Sequence, residues 1–420
     1  MKKIWIFNHY ASDMFNNKGG RHFWFAKNLI NLGYNPTIFC ANTFHQKKGE
    51  VDLEHKIFKV FYSDSIPFVF IKTFMSFSNG LDRIKNMVMF YLNLIKTSKS
   101  FIKKGDKPDL ILASSVHPLT LVAGIKIAKI LNIPVVCEVR DLWPEAIFKY
   151  KMVKENSIFG RILVSLEYWI YRNSSSIIFT KEGDVDYIKE KKWDIQQGGT
   201  INLRNVFYIN NGVDIESFNL SVSNNTFNDS DLDSSKFNVV YTGAIAPINN
   251  LNNLISVAAN LIEYTDIQFL IYGDGIEREH LEKKVKSLNI SNIKFKGYIN
   301  KKFIPYILSK SSLNILNYSA TEYNWSRGNS SNKLFEYLAS GKPVLSTIKM
   351  GYSIINKYKC GLEIDNNNPN EIIDAILKFR NMDSNLYNLY SINAKNAAKD
   401  FDFKILTKKL VNIFELQRIK

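Results

Sequence analysis

The chain has 420 residues, of which 45% are hydrophobic and 22% are charged, a length and composition that suit two globular domains and exclude a disordered protein. No apolar stretch approaches the roughly 18 residues of a membrane-spanning helix, and the apolar run after the first three residues is too short for a signal peptide, so the sequence predicts a cytoplasmic protein. The net charge is +16, and residues 1–200 hold +11 of it, with 29 Lys and Arg against 18 Asp and Glu. This excess predicts that the N-terminal half binds an anionic partner such as nucleic acid or an acidic membrane surface.

The three cysteines, Cys40, Cys137 and Cys360, are odd in number, far apart and embedded in apolar sequence. This pattern predicts reduced, buried thiols and no metal cluster.

The chain begins with a predicted strand–loop–helix–strand unit. Residues 2–10 form the strand, Gly19 and Gly20 precede a helix that ends at Gly33, and a second strand follows. Glycines at a strand-to-helix junction let the backbone approach a phosphate or a sugar closely. Gly19 and Gly20 are therefore candidate ligand-binding residues.

Residues 81–104 predict a basic amphipathic helix. Apolar side chains recur at helical spacing from Met87 to Ile95, and five lysines surround them: Lys85, Lys96, Lys99, Lys103 and Lys104. Such a helix either lies on an acidic membrane or turns its apolar face to the core, and both interpretations stay open.

Charged and aromatic residues follow two buried strands of the first half. His117 comes after the strand at 108–114, and the sequence Arg-Asp-Leu-Trp-Pro-Glu, residues 140–145, follows the strand at 133–139. Such residues are unusual directly after a buried strand unless they have a function. The segment also resembles an Arg-Asp-Leu-Trp-Pro segment in the cleft of bacterial polysaccharide glycosyltransferases, and this resemblance implies that Arg140, Asp141 and Glu145 are candidate catalytic residues. His117 is a further candidate, although a histidine at a strand end is often structural.

A domain boundary is predicted near Asp214. The Asn- and Ser-rich segment 217–235 has the composition of a linker or surface loop, and the strand–helix alternation then starts again at 237. Alternating strands and helices predict a doubly wound parallel sheet in each half. We expect domains at 1–215 and 216–402, with the terminal helix, 403–420, returning to the first domain.

Residues 330–346, SSNKLFEYLASGKPVLS, predict a helix between two strands, with Ser330 or Ser331 as its cap. The start of this helix lies at the carboxyl edge of the sheet, where free N–H groups favour an anion. Lys333 is one step inside that end and Glu336 about one turn further.

This segment resembles the nucleotide-sugar signature of family-4 glycosyltransferases, the group 1 enzymes of the GT-B class, and the Gly19-Gly20 unit resembles their opening. The resemblance implies an α/β GT-B fold of two doubly wound parallel-sheet domains that face a common cleft. It implies that Lys333 meets the donor pyrophosphate and that Glu336 binds the ribose. The other candidate donor-binding residues are Gly19, Gly20, Gly243, Gly273, Asp274, Gly275, Tyr298, Arg327, Asn332 and Leu334.

Three positions depart from the family pattern. Gly328 stands eight positions before Glu336, where many relatives have an acidic residue, and Ala244 and Asn249 stand where they have Arg and Lys. The usual cationic clamp on the diphosphate is incomplete, so Lys333, Arg327 or Arg140 has to supply more of it.

The resemblance implies a retaining transferase without a metal cofactor. It is closest to enzymes of O-antigen or capsule assembly, including the N-acetyl-L-fucosaminyltransferase type, which implies a UDP-sugar donor, a lipid-linked saccharide acceptor and the anionic inner membrane surface as partners. Three Asp-x-Asp triplets, at 184/186, 231/233 and 400/402, follow no convincing buried strand, and we interpret them as chance. The alternatives are a UDP-N-acetylglucosamine 2-epimerase of the same fold and a basic nucleic-acid-binding protein, although no nucleic-acid-binding module is recognisable and nucleic acid is not expected as a partner.

Overall fold

The computed structural model describes residues 2–44, 49–75, 80–115, 117–149, 153–232, 235–321 and 324–417. The chain divides into two compact units, Met1–Asn210 with Leu406–Lys420 and Asn211–Ile405. Each unit contains one sheet with its own buried apolar core.

Fourteen strands are present in the described residues. They are β1 (Lys2–Phe7), β2 (Tyr34–Ala41), β3 (Phe58–Ser63), β4 (Ile66–Ile71), β5 (Leu110–Ser114), β6 (Val135–Val139), β7 (Ser176–Phe179), β8 (Val206–Tyr208), β9 (Phe237–Thr242), β10 (Ile267–Tyr272), β11 (Ile293–Gly297), β12 (Leu313–Leu316), β13 (Val344–Ser346) and β14 (Gly361–Glu363).

The same residues contain sixteen α-helices. They are α1 (Ser12–Asn17), α2 (Arg21–Asn31), α3 (Leu81–Lys103), α4 (Pro118–Leu131), α5 (Trp143–Lys149), α6 (Ile158–Asn173), α7 (Asp184–Glu190), α8 (Ile215–Asn224), α9 (Leu251–Asn260), α10 (Arg278–Ser287), α11 (Ile304–Ser309), α12 (Asn332–Ser340), α13 (Ile354–Tyr358), α14 (Pro369–Arg380), α15 (Ser384–Asp400) and α16 (Phe403–Leu416).

The first sheet has the order β3-β4-β2-β1-β5-β6-β7-β8, and β3 pairs with β4 as its antiparallel edge. The second sheet, β11-β10-β9-β12-β13-β14, is parallel throughout. Parallel strands separated by helices place all their carboxyl ends, and therefore the loops that follow them, on one edge of each sheet. The prediction of two doubly wound parallel sheets is confirmed.

Helix α16 belongs to the first unit from Leu406 onward. The Glu415 carboxylate accepts hydrogen bonds from Lys2 Nζ at 2.5 Å and from Tyr34 Oη at 2.6 Å, and Gln417 Nε2 donates to Ser176 Oγ at 2.7 Å. The last helix is thereby fixed to β1, β2 and β7.

The segment 217–235, predicted as a linker or surface loop, begins inside a helix, and residues 225–232 after that helix contain neither helix nor strand. Residues Ile215–Asn224 form α8, whose first turn is capped by the Asp214 carboxylate, which accepts from the Ser217 N–H at 2.8 Å. Phe218 is buried, and the helix packs on α11 and α12. Composition alone pointed to a loop because only one large apolar residue anchors this helix. Asp233 and Ser234 lie outside the described residues.

Helix α3 has two apolar faces. Phe90 and Leu94 are fully buried, so the apolar set recognised in the sequence faces the core of the first unit. A second set, spaced three or four residues apart, points to solvent, with Leu81 75%, Ile84 55%, Val88 40% and Leu92 49% exposed. No helix in the described part of the chain has both the length and the apolar character needed to cross a bilayer.

Candidate functional site

The ammonium group of Lys333 is the centre of the candidate site in the second unit. Lys333 Nζ donates to Asn249 Oδ1 at 2.9 Å and to Tyr241 Oη at 3.1 Å. It also lies 4.6 Å from the ring centroid of Tyr241 and 4.8 Å from that of Tyr318, within cation–π range. The rings enclose the ammonium, although the residue as a whole remains partly accessible.

No carboxylate in the described part of the chain forms an ion pair with Lys333. Loss of hydration around the ammonium lowers the pKa of Lys333 to about 7, and no opposite charge restores it. The site therefore contains a lysine whose charged form has no counter-charge, and an anionic ligand would stabilise that charged form.

The helix start beside Lys333 is organised by polar side chains. Ser331 is the N-cap residue, but its hydroxyl contacts Tyr318 Oη at 2.7 Å and does not cap the helix, which corrects the expected serine cap. Asn329 Oδ1 accepts from the Ser331 N–H at 2.8 Å. Asn332 is exposed, whereas Leu334 is buried and its N–H donates to the Ser331 carbonyl at 3.3 Å. The N-cap of α12 thus makes no side-chain hydrogen bond to the first turn of the helix.

Glu336 lies on the next turn of α12. Its side chain is 21% exposed, and its Oε1 lies 3.4 Å from Lys301 Nζ in the turn that precedes α11. The carboxylate is accessible and held by one cation, which suits an acceptor of hydroxyl hydrogen bonds.

Two glycine-containing loops, after β9 and β10, pack backbone against backbone. A Cβ atom at Gly273 would lie 1.8 Å from the Gly243 carbonyl oxygen, and one at Gly275 would lie 2.2 Å from the Ile245 carbonyl oxygen. The sequence suggested that a ligand requires these glycines, but contact between the two loops already excludes a side chain at both positions.

Gly243 has a different neighbour. A Cβ atom there would lie 3.3 Å from Lys333 Nζ and 3.1 Å from Tyr241 Oη. The missing side chain therefore leaves room beside the ammonium group.

Three further predicted donor residues surround the same sheet edge. Asp274 accepts from the Gly275 N–H at 2.8 Å and lies 3.7 Å from Arg278 Nη1, and Tyr298 is 70% exposed. Arg327 is buried in the short 3-10 turn Trp325–Arg327, which lies in the loop between β12 and α12.

The missing acidic residue at 328 has a backbone explanation. Gly328 has φ of 102°, a conformation that disfavours any residue with a Cβ atom. An aspartate or glutamate at this position would strain the loop, so the departure from the family pattern matches the local geometry.

The candidate residues of the first unit follow β6. The Arg140 N–H donates to Ser115 Oγ at 3.0 Å, and the Arg140 carbonyl accepts from Thr180 Oγ1 at 2.9 Å. Asp141 is exposed, and Glu145 lies in the first turn of α5. The β6 strand end thus presents charged groups on a backbone held by two hydroxyls.

A narrow groove lies next to these residues. Ser115 and Asp141 line it together with residues of α4, α5 and α6, which are mostly apolar but include Glu167. Trp143 is part of that lining.

His117 is buried at the start of α4, with 1% exposure. Its Nε2 lies 2.6 Å from Nδ1 of His9, which follows the neighbouring strand β1 and stacks on Phe90. Burial, and then the charge of Arg83, lowers the pKa of His117 to about 3, so the imidazole is neutral near pH 7. Sequence analysis did not identify its partner His9, which lies within the predicted strand 2–10, whereas the observed strand β1 ends at Phe7.

A second buried cluster of the first unit was missed. Glu138 on β6 accepts from Arg21 Nε at 2.7 Å, from Ser114 Oγ at 2.7 Å and from His22 Nε2 at 3.1 Å, and all four side chains are buried. Burial alone would raise the pKa of Glu138, but Arg21 and then His22 hold it well below its usual range. The only sequence signal was a glutamate inside an apolar strand.

The paired glycines lead directly into this cluster. Gly20 has φ of 100° and precedes α2, and the next residue, Arg21, donates from Nη1 to the Asn210 carbonyl at 2.5 Å and from Nη2 to the Ile209 carbonyl at 2.9 Å. Gly19 and Gly20 thus lie in the first unit, whereas the other donor candidates lie in the second.

The Asp-x-Asp triplets do not assemble a metal site in the part of the chain that the structure describes. Asp184 pairs with Lys181 at 3.7 Å, Asp231 pairs with Lys296 at 2.5 Å, and Asp400 accepts from Tyr358 Oη at 2.6 Å. Asp233 lies outside the described residues. No group of three His, Cys, Asp or Glu side chains that could hold a metal ion occurs among the described residues.

Two family models match the chain. Residues 25–217 match Glycosyltransferase Family 4, and residues 222–397 match Glycosyl transferases group 1. One curated relative, the 2-deoxystreptamine N-acetyl-D-glucosaminyltransferase of Niallia circulans, is 32% identical over 114 residues, which are 27% of this chain and 28% of the relative.

Solved structures resemble the chain over almost its whole length. HepE from Anabaena in complex with UDP-glucose covers 99% of this chain and 100% of its own, with a TM-score of 0.64 and 17% identity. WaaG, a glycosyltransferase involved in lipopolysaccharide biosynthesis, covers 98% of this chain and 99% of its own, with a TM-score of 0.61 and 14% identity. The predicted GT-B fold is confirmed.

Proposed function

We propose that this chain, a group 1 glycosyltransferase with a family-4 domain, transfers an N-acetylated hexosamine from a UDP-sugar to a lipid-linked saccharide in bacterial O-antigen or capsule assembly. The observation that carries the proposal is the cation at the start of α12. Lys333 is held by neutral acceptors and lacks a carboxylate partner among the described residues, so an anionic ligand completes its environment.

The donor is assigned to the second unit. Its diphosphate would receive hydrogen bonds from Lys333 and from the open start of α12, and Glu336 would accept from the ribose hydroxyls. Negative charge grows on the diphosphate as the sugar leaves, so a preorganised cation stabilises the transition state more than the ground state. The choice of UDP is supported by HepE, whose structure contains UDP-glucose.

The acceptor is assigned to the first unit, beside Arg140, Asp141 and Glu145. The neutral imidazole of His117 would orient a substrate hydroxyl by hydrogen bonding, since its low pKa rules out a role as a cationic acid near pH 7. As in the family it resembles, we expect transfer with retention of configuration.

The choice of sugar is supported by the curated relative, whose name specifies N-acetyl-D-glucosaminyl transfer. A donor of the N-acetyl-L-fucosamine kind remains part of the proposal. The two sugars are distinguished by supplying UDP-N-acetylglucosamine and UDP-N-acetyl-L-fucosamine as alternative donors.

A thermal-shift screen of UDP, GDP, ADP and their sugars tests the donor assignment. A ligand at 100 times its Kd stabilises the folded protein by about 2.7 kcal/mol, so UDP and a UDP-sugar should raise Tm clearly above the shift with GDP or ADP. An increase in Tm with GDP alone, or no increase in Tm with any of the nucleotides, would overturn the assignment.

The reaction is proposed to need no metal, because Lys333 and the helix start supply positive charge to the leaving group. Activity should persist in EDTA. Complete loss of activity in EDTA that Mn²⁺ or Mg²⁺ restores would refute this part of the proposal.

The membrane contact is assigned to α3. Its N-terminal half exposes the apolar set Leu81, Ile84, Val88 and Leu92, and its C-terminal half carries exposed lysines. Each lysine near an acidic surface contributes about 1 kcal/mol, and each inserted apolar side chain adds to it, so binding should be reversible and salt-sensitive. A lipid-linked acceptor is supported by this surface and by WaaG, an enzyme of lipopolysaccharide biosynthesis.

Flotation with vesicles that contain anionic lipid tests the contact. The double variant Ile84→Ser/Val88→Ser, and separately the replacement of Lys96, Lys99, Lys103 and Lys104 by Ser, should release the protein. The matched control Leu386→Ser/Leu389→Ser removes two exposed apolar residues from α15, where the side chains are 44% and 52% exposed, and should still bind. Equal binding of all variants would refute the role of α3.

A further inference from the structure

We propose that Asn249 is a positioning residue of the donor site, whose side-chain oxygen holds the Lys333 ammonium in the orientation that receives the diphosphate. This inference rests on the proposed function. Asn249 lies in the turn between β9 and α9 and is 6% exposed.

The orientation of the Asn249 amide is fixed on both sides. Its Nδ2 donates to the Ala244 carbonyl at 2.9 Å, so Oδ1 is the atom that faces Lys333 Nζ at 2.9 Å. The backbone is held as well, because Asn317 Nδ2 donates to the carbonyls of Asn249 at 2.7 Å and Asn250 at 2.8 Å. The acceptor for Lys333 is therefore rigid before any ligand arrives.

Tyr241 supplies the second fixed acceptor. Its hydroxyl proton is used in a hydrogen bond to the Ala244 carbonyl at 2.7 Å, so Oη accepts from Lys333. An ammonium group has three N–H bonds, and these two acceptors take two of them. In the described part of the chain the third has no acceptor, which directs it to a ligand.

A neutral residue at 249 preserves the positive charge. A lysine at this position would place a second cation beside Lys333, and an aspartate would neutralise it. Asparagine accepts a hydrogen bond from the ammonium group without adding a second positive charge and without neutralising the first. The donor site then relies on one oriented cation and the start of α12.

Asn249→Asp is the sharpest test, because it keeps the shape and adds a negative charge beside Nζ. UDP and uridine binding are measured by calorimetry at pH 8, where the diphosphate is fully ionised. We expect UDP affinity to fall at least tenfold and uridine affinity to stay unchanged. Asn249→Ala should weaken UDP binding about tenfold. It replaces the aspartate variant in this test if that variant does not fold.

Asn252→Asp is the matched control. Asn252 is exposed on α9, and its Oδ1 also accepts from a lysine, Lys284 Nζ at 2.6 Å. The substitution makes the same change in charge outside the site, so UDP affinity should stay at the wild-type value.

Proton uptake separates a positioning role from a structural one. The titratable groups around Nζ are Tyr241 and Tyr318, with Glu336 on the same helix, and burial raises the pKa of Tyr318 to about 12 and that of Tyr241 well above 10. At pH 8 the wild type should take up protons from solvent when it binds UDP, because the bound diphosphate raises the pKa of Lys333. Asn249→Asp should take up fewer, because the new carboxylate already keeps Lys333 protonated.

Unchanged UDP affinity and proton uptake in both Asn249 variants would overturn this inference alone. Wild-type protein that binds no UDP would instead overturn the proposed function.

Discussion

Replacing Lys333 by methionine should stabilise the ligand-free protein while it weakens the binding of UDP. The pKa of Lys333 is lowered from 10.5 to about 7, which at about 1.4 kcal/mol per pKa unit corresponds to about 5 kcal/mol against folding. The residue remains partly accessible, and water reduces this cost to about 2 kcal/mol. Methionine keeps the contact of the alkyl chain with the rings of Tyr241 and Tyr318 and removes the charge.

The sign of the pH dependence follows from the direction of the shift. Between about pH 7 and pH 10.5 the unfolded chain binds more protons than the folded one at this site, so wild-type stability rises with pH through that window. The advantage of Lys333→Met should therefore be greatest at or below pH 7 and should shrink toward pH 10.

Urea denaturation at pH 7 and pH 9.5, with Lys286→Met as the control for an exposed lysine, measures this difference. The control should change stability by less than about 0.5 kcal/mol at both pH values. A Lys333→Met protein that is less stable than the wild type at pH 7, or an advantage that does not change with pH, would refute the reasoning.

Three further outcomes are expected. Glu336→Gln should raise the Kd for UDP in calorimetry by about tenfold while leaving Tm of the free protein nearly unchanged, because the side chain is partly exposed; equal affinity would remove Glu336 from the site. Arg21→Met should cost about 3–5 kcal/mol in urea denaturation at pH 7, because it leaves the Glu138 carboxylate buried without its main partner. The lowered pKa of Glu138 stabilises the folded wild type above the unfolded pKa of about 4.3, and this stabilisation is lost as the pH falls. In the variant burial raises the pKa of Glu138, so the difference in unfolding free energy between the two proteins should narrow in acid. A difference that does not change with pH would contradict the pairing. Gly275→Ala should destabilise the protein by more than about 1 kcal/mol, because its Cβ atom would lie 2.2 Å from the Ile245 carbonyl oxygen; a Tm equal to the wild-type value would show that the two loops separate easily.

The order of strands and helices could be predicted because it depends on patterns within short stretches of the sequence. Helix α12 has apolar residues at helical spacing and a glycine stop, and β12 and β13 on either side are short apolar runs. The same local reasoning placed Lys333 and Glu336 at a sheet edge. Periodicity and stop signals act within a few residues, so a single sequence contains them in full.

Contacts between distant residues could not be predicted in this way. Glu138 meets Arg21 across 117 positions, and the carbonyl of Ala244 fixes both Tyr241 and Asn249 around Lys333. Helix α8 was missed for a similar reason, because it packs on α11 and α12, which are distant in sequence, and Phe218 on it is buried. Tertiary packing decides these features.

The return of α16 to the first unit affects how the protein is made. Glu415 bonds to Lys2 and Tyr34, so the first unit is interrupted by the whole second unit, Asn211–Ile405, which is continuous in sequence. At about 5–20 residues per second, a ribosome needs about 10–40 s to pass from residue 210 to 415. During that time the nascent first unit lacks the apolar face of α16, including Leu410 and Phe414, so the second unit can complete its fold before the first.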